Sequence, residues 1–217
     1  MQWLAMITML IDHLGYAFFS DERYLRIIGR IAFPIYCYLL VVGYRHTRNV
    51  NKYMTRLLII ALVSQFPFMF AFNIENLNVV FTLLIGLLLI MLLDRIPTKL
   101  FPLSIVLAAG FSAIAELLHT DYGAYGILLI LIYRYVPGYM MVLAHFALTV
   151  IFVLAGHMSL IQIYSIFSTL LITAGTELRP DVRLIAPPRW LWRAFYPAHL
   201  AIIAIMVQGS AYGYFNL

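Results

Sequence analysis

The chain predicts an all-α, polytopic membrane bundle of about nine transmembrane helices with a cytoplasmic N-terminus. Three observations carry this reading. Of its 217 residues, 64% are hydrophobic and only 11% are charged, whereas a soluble domain holds roughly a quarter charged residues. A soluble core of this length could not conceal so much apolar surface. The apolar runs are continuous rather than alternating, which argues against a β-barrel. Finally, Lys and Arg gather in alternate connections between the runs.

The runs fall at about 2–19, 25–44, 54–72, 77–93, 100–118, 121–136, 139–155, 158–174 and 191–209. A span needs about 20 mostly apolar residues and at least about 17. The short runs, 121–136 above all, set a range of about eight to ten spans. The first run, MQWLAMITMLIDHLGYAFF, has no basic flank or small-residue cleavage site and reads as a retained helix. The stretch 175–190 carries the prolines and arginines of a loop. No internal repeat, low-complexity tract or soluble insertion interrupts the pattern, so 1–217 reads as one membrane domain. The single cysteine, Cys37, lies in an apolar run and reads as a small core hydrophobe.

Loop charges set the orientation. With the N-terminus inside, the inner connections hold Arg45, Arg48, Lys52 and Arg56, then Arg95 and Lys99, then Arg134, then Arg179, Arg183, Arg189 and Arg193. Eleven of the fourteen Lys and Arg then fall inside, as cytoplasmic loops require. Outer connections are acidic or neutral, with Glu75, Asp121 and His157. This distribution explains the net charge of +5 without a nucleic-acid partner. The lipid bilayer is the partner that composition implies.

Ionisable residues inside a membrane are costly and point to function. Asp12 and His13 sit about 17 Å into the first helix. A neutral imidazole there can accept a proton from an amine or hydroxyl. Adjacent helical residues point about 100° apart, so Asp12 is expected to pair with an arginine on another helix rather than to orient His13. Arg26 and Arg30, at i and i+4 on the second helix, are the candidates, and Gly29 between them permits close approach. In the plainer reading Arg30 only neutralises Asp12; in the functional one it also holds an anionic group.

Other polar groups are less specific. The loop GYRHTRNVNKYMTR carries Arg45, His46, Arg48, Lys52 and Arg56, either a positive-inside anchor or a phosphate site. Ser64, Gln65 and Pro67 read mainly as helix-to-helix glue. Glu116 and His119 at i and i+3, with Asp121 and Tyr122, form a polar outer end; one such motif falls short of the two that carboxylate di-metal bundles use, so no metal is expected. Tyr196 and His199 lie in the last helix, and His145 reads as structural. No GxSxG, P-loop, strand-borne GxGxxG or HExxH is present, which leaves protease, phosphoryl and hydride chemistry without residue support.

The stretches MITMLIDHLG, LRIIGRIAFPIYCYLLVVGYRHTRNVNKYMTRLLIIALVSQFPF, NVVFTLLIGLLL, DYGAYGILLILIY and FYPAHL, in this order, resemble the TraX family of integral membrane proteins. TraX is known for N-acetylating pilin subunits. The family looks like a branch of the transmembrane acyltransferases, with the acyltransferase-3 and heparan glucosaminide N-acetyltransferase groups. The resemblance implies a bacterial inner-membrane acetyltransferase that moves acetyl from cytosolic acetyl-CoA to an amine or hydroxyl on a protein, peptide or glycan. His13, Asp12 and Arg30 would then be catalytic. Arg45, His46, Arg48, Lys52 and Arg56 would bind the anionic donor, and Glu116, Asp121 and Tyr122 would face the acceptor. A proton-coupled transporter or flippase using Asp12, His13 and Arg30 is the alternative, though matched broken helices are absent.

Overall fold

A computed structural model describes residues 1–177 and 185–211. Arg179 and Arg183 lie outside them. The helices are α1 (Gln2–Phe18), α2 (Arg23–Gly29), α3 (Ala32–His46), α4 (Val50–Phe72), α5 (Val79–Leu93), α6 (Phe101–Leu117), α7 (Gly123–Tyr135), α8 (Met140–Leu154), α9 (Ile166–Glu177) and α10 (Arg189–Ala211). Short 3-10 turns, Thr98–Leu100 and Leu160–Ser165, lead into α6 and α9. No strand occurs among the described residues; Leu77 and Thr120 form an isolated parallel bridge.

Every expected apolar run is helical. Among the described residues, five stretches are long and apolar enough to cross a membrane: Arg23–His46, Val50–Phe72, Thr98–Leu117, Leu160–Glu177 and Arg189–Ser210. The helices α1, α5, α7 and α8, with 17, 15, 13 and 15 residues, are shorter. At 1.5 Å per residue α7 is about 20 Å long, against a hydrocarbon core of about 30 Å. Enclosure accounts for the short length of α5 and α7. Both are largely buried, and a helix walled by protein need not match the lipid. The exposed α6 stretch reaches 20 residues.

The second run is broken between Gly29 and Ala32. Pro34, in the first turn of α3, has no N–H to return to the Arg30 carbonyl. The Ser168 hydroxyl on α9 donates to the neighbouring Ile31 carbonyl at 2.8 Å. This break matters because it places Arg30 at the C-cap of α2, still at i+4 from Arg26 but where the chain turns into α3.

Side-chain caps fix the other corners. Asn49 accepts from the Lys52 amide at the start of α4, and Asn73 closes α4 in the left-handed region at φ 53°. Asn78 caps α5 by accepting from Val80 and donates to the Ala61 carbonyl of α4. Gln65 receives the Asn78 amide and donates to Asn76, so its role is to join α4 to α5. Glu116 accepts from the Ala124 amide in the first turn of α7 at 2.8 Å. Glu116→Ala is therefore expected to lower stability by about 1 kcal/mol while leaving donor binding unchanged. Thermal unfolding in detergent checks this; an unaltered midpoint would remove the capping role.

The main apolar core draws on residues of α1, α3, α4, α5, α7, α8, α9 and α10, with Tyr125, Ile130, Leu87 and Phe33 deeply buried. The most extensive helix pairing is α4 with α10, followed by α1 with α2. The second of these builds the charged part of the site, and both flank the histidines.

Candidate functional site

Asp12 is the hub of the charged cluster. Its carboxylate pairs with Arg26 at 2.8 Å and Arg30 at 3.1 Å. Both arginines reach it because the i, i+4 spacing puts them on one face of the α2 segment. Arg26 also donates to the Asp12 carbonyl at 3.2 Å and lies over the Tyr16 ring at 5.0 Å. Arg30 donates from Nε to the Arg26 carbonyl and from its other side to Gln162 Oε1 at 3.4 Å. The side chains of Asp12 and Arg30 stay 14% and 13% exposed, so the pair borders open space rather than a sealed core.

His13 points elsewhere, as helical geometry requires. Its Nδ1 lies 2.8 Å from Nε2 of His199 on α10. His199 Nδ1 in turn lies 2.6 Å from the Phe195 carbonyl. A carbonyl only accepts, so His199 Nδ1 carries the proton. For two neutral rings the rest follows: His199 Nε2 accepts, His13 Nδ1 donates, and His13 Nε2 keeps a bare lone pair. The rings are held by Phe72, edge-on to His13 at 5.0 Å, and by Phe195, stacked on His199 at 4.5 Å. Tyr196 packs edge-on against both imidazoles, at 6.3 and 5.7 Å.

Tyr196 also lines a cavity of about 500 Å³ between α1, α3, α4, α5 and α10. The exposed residues at its opening include Arg56, Arg189 and Arg193. Its buried end is made by Met9, Val79, Val80, Leu83 and Tyr196. Tyr36 and Trp192 stack on each other at 5.2 Å along the wall. The Tyr196 hydroxyl is buried and makes no well-formed hydrogen bond. The cavity therefore runs from a basic mouth to an orphan phenol that touches the His13–His199 pair.

The five basic residues of the first loop separate in space. Only Arg56 lines the cavity. Arg45 donates to the Arg134 carbonyl at 2.9 Å, and His46 bonds back to the Val42 carbonyl. Arg48 and Lys52 are exposed. Arg134 pairs with Asp94 at 2.7 Å. Partial burial works to raise the Asp94 carboxyl, but hydrogen bonds from Arg134, Tyr135 and Tyr44 outweigh it and hold the group below its ordinary range. The remaining cavity cations, Arg189 and Arg193, come from α10, which sequence spacing could not bring beside α4.

At the opposite end, Tyr122 stacks on Phe33 at 3.6 Å. Asp121 is exposed, and its backbone N–H donates to the Leu77 carbonyl at 2.9 Å. Glu116 is occupied by capping. No group of three His, Cys, Asp or Glu close enough to hold a metal occurs among the described residues.

Sequence reading missed the His13–His199 pair and the bonding of His145. His145 Nε2 lies 2.8 Å from the Tyr125 hydroxyl, and Nδ1 lies 2.6 Å from Thr169. The available signal was the recurrence of Ser165, Thr169 and Thr173 at intervals of four in an apolar segment.

No solved structure matches the chain. Probable fimbrial assembly protein FimC, serogroup H1, of Dichelobacter nodosus is 30% identical over 92% of this chain and 91% of its own length. Uncharacterized protein RP591 of Rickettsia prowazekii (strain Madrid E) is 39% identical over 29% of this chain and 23% of its own length. The family model described as TraX protein matches residues 1–207, spanning the charged cluster, the histidine pair and the cavity, and the chain belongs to the TraX family.

Proposed function

We propose that this chain is a multi-pass acetyltransferase of the bacterial inner membrane that takes acetyl from cytosolic acetyl-CoA and passes it to an amine or hydroxyl acceptor. The observation that carries this reading is the basic-mouthed cavity whose inner end, Tyr196, packs against the His13–His199 pair. In the proposed orientation the N-terminus is cytoplasmic, nine segments cross the membrane, and the cavity opens to the cytosol. Arg56, Arg189 and Arg193 then meet the phosphates of the donor. The apolar walls suit its slender arm, and the thioester points toward Tyr196.

In the transfer step His13 Nε2 takes a proton from the acceptor nitrogen or oxygen. The acceptor lone pair forms the new bond to the thioester carbonyl carbon. The carbon–sulfur bond breaks, and the thiolate leaves with that proton. Arg30 and Arg26 supply positive charge for the transient oxyanion, while Asp12 holds them in place. The exposed Asp121, with Tyr122, faces the acceptor. The Dichelobacter nodosus relative, named for fimbrial assembly, supports a protein acceptor, a fimbrial subunit among the candidates.

The test is acetyl-CoA binding and thiol release by purified protein in detergent. Arg189→Ala and Arg193→Ala are each expected to weaken donor binding about 10-fold, the loss of one charge-assisted hydrogen bond. Arg45→Ala, whose guanidinium is engaged by Arg134, is expected to change binding less than about 2-fold. Absence of donor binding by monodisperse wild-type protein would overturn the proposal and favour the transporter reading.

A further inference from the structure

Arg30 is held from a direction that the charge cluster does not explain. Gln162, 1% exposed, lies in the 3-10 turn before α9, and its Oε1 accepts from Arg30 Nη1 at 3.4 Å. Its other end, Nε2, donates to the Tyr125 hydroxyl at 3.2 Å. The same phenol lies within 2.8 Å of His145 Nε2, 3.1 Å of Thr149 and 3.3 Å of Ser165. All of these side chains are buried. So many polar groups inside an apolar bundle would be costly without a use.

Hydrogen-bond directions run one way along this chain. The Tyr125 oxygen accepts from Gln162, so its own proton goes onward, and His145 Nε2 is its shortest partner. With that proton on its way to His145 Nε2, His145 carries its own proton on Nδ1 and donates it to Thr169 at 2.6 Å. Arg30 fixes the sense of the Gln162 amide. A flipped amide would turn its NH₂ donors toward a guanidinium that can only donate. The polar chain thus presents an acceptor to Arg30, opposite the Asp12 carboxylate. The same segment grips the Arg30 corner a second time, through Ser168 and the Ile31 carbonyl.

We infer that Gln162 is a positioning residue for Arg30, and that Tyr125, itself held by His145, anchors the far end of its amide. The inference rests on the acetyltransferase reading for its kinetic consequence, but not for its geometry. Without Gln162 the guanidinium keeps its ion pair to Asp12 and its Nε bond to the Arg26 carbonyl, but its Nη1 has no protein acceptor. With Gln162 all three of its nitrogens are held, by acceptors on α1, α2 and the turn before α9, as transition-state charge stabilisation requires.

The experiment pairs kinetics with a chemical probe that needs no turnover. Wild type, Gln162→Leu, Gln162→Glu and Tyr125→Phe are compared for acetyl-CoA-dependent transfer. In parallel, phenylglyoxal modification of Arg30 is followed by peptide mass spectrometry. Gln162→Leu is expected to lower kcat about 10-fold, with the donor KM within about 2-fold, and to raise the Arg30 modification rate severalfold. Tyr125→Phe, which keeps the ring, is expected to move both readouts the same way by a smaller factor. Gln162→Glu adds a titrating group. The ionisable groups around it are Arg30, with Asp12, Arg26, Asp121 and Tyr122 beyond, and Tyr125 and His145 on the far side. When protonated, the new carboxyl accepts from Arg30 as the amide did. When ionised, it competes with Asp12. Activity of Gln162→Glu should therefore recover toward wild type as pH falls, a profile that a merely structural residue would not produce. Wild-type kcat and an unchanged Arg30 modification rate in Gln162→Leu would overturn the inference and leave the transferase reading standing. A wild-type protein without turnover would sink that reading instead, and the modification rate alone would then decide the role of Gln162.

Discussion

His13→Ala is expected to reduce acetyl transfer by about 10²- to 10⁴-fold, the usual contribution of a positioned general base. The reason is the tautomer chain. The Phe195 carbonyl fixes the proton on His199 Nδ1, and His199 leaves His13 with its free lone pair on Nε2. Alanine removes that lone pair and no charged group, so the Asp12–Arg26–Arg30 cluster keeps its partners. The variant should insert, fold and bind donor like wild type. His199→Ala should produce a smaller loss, because His13 keeps its nitrogen but loses its orientation. Initial rates of thiol release, read beside donor binding, check both. Retained turnover in His13→Ala would remove His13 from the chemistry. If the imidazole itself takes the acetyl group, rapid quenching should recover an acetylated peptide containing residue 13.

Gly29→Ala should be the most damaging small substitution. A Cβ at this position would overlap the Asp12 carboxylate itself. No rotamer of a one-carbon side chain relieves this, so α1 and α2 must separate or Asp12 must leave its arginines. Overpacking costs about 1–3 kcal/mol. Breaking a buried ion pair costs about 3–5 kcal/mol, since it strands charge in a medium of low dielectric. A loss of about 3 kcal/mol, with transfer falling at least 10-fold, is the expected result. Chemical unfolding in mixed micelles measures it. Gly110→Ala is the control, because nothing lies within 4 Å of its added Cβ. Equal stability of the two variants would show that the helices give way more easily than the packing implies.

Much of this protein was determined by sequence alone. Continuous apolar runs set an all-helical membrane bundle, because a backbone in lipid must satisfy its own hydrogen bonds. Local spacing placed Arg26 and Arg30 on one face, and the cost of a membrane charge implied that Asp12 would seek them. A 100° step between neighbours already said that Asp12 would not orient His13.

Tertiary structure alone decided the partners that lie far apart in the chain. His199 reaches His13 across 186 residues, and Gln162 reaches Arg30 across 132. Periodicity fixes which face a side chain takes, not which helix arrives opposite it. The basic loop shows the same limit. Its five basic residues look alike in sequence, yet only Arg56 faces the cavity, and Arg189 and Arg193 join it because α10 packs along α4. Charge along a chain is local, whereas a binding site is made by whichever helices the apolar packing brings together.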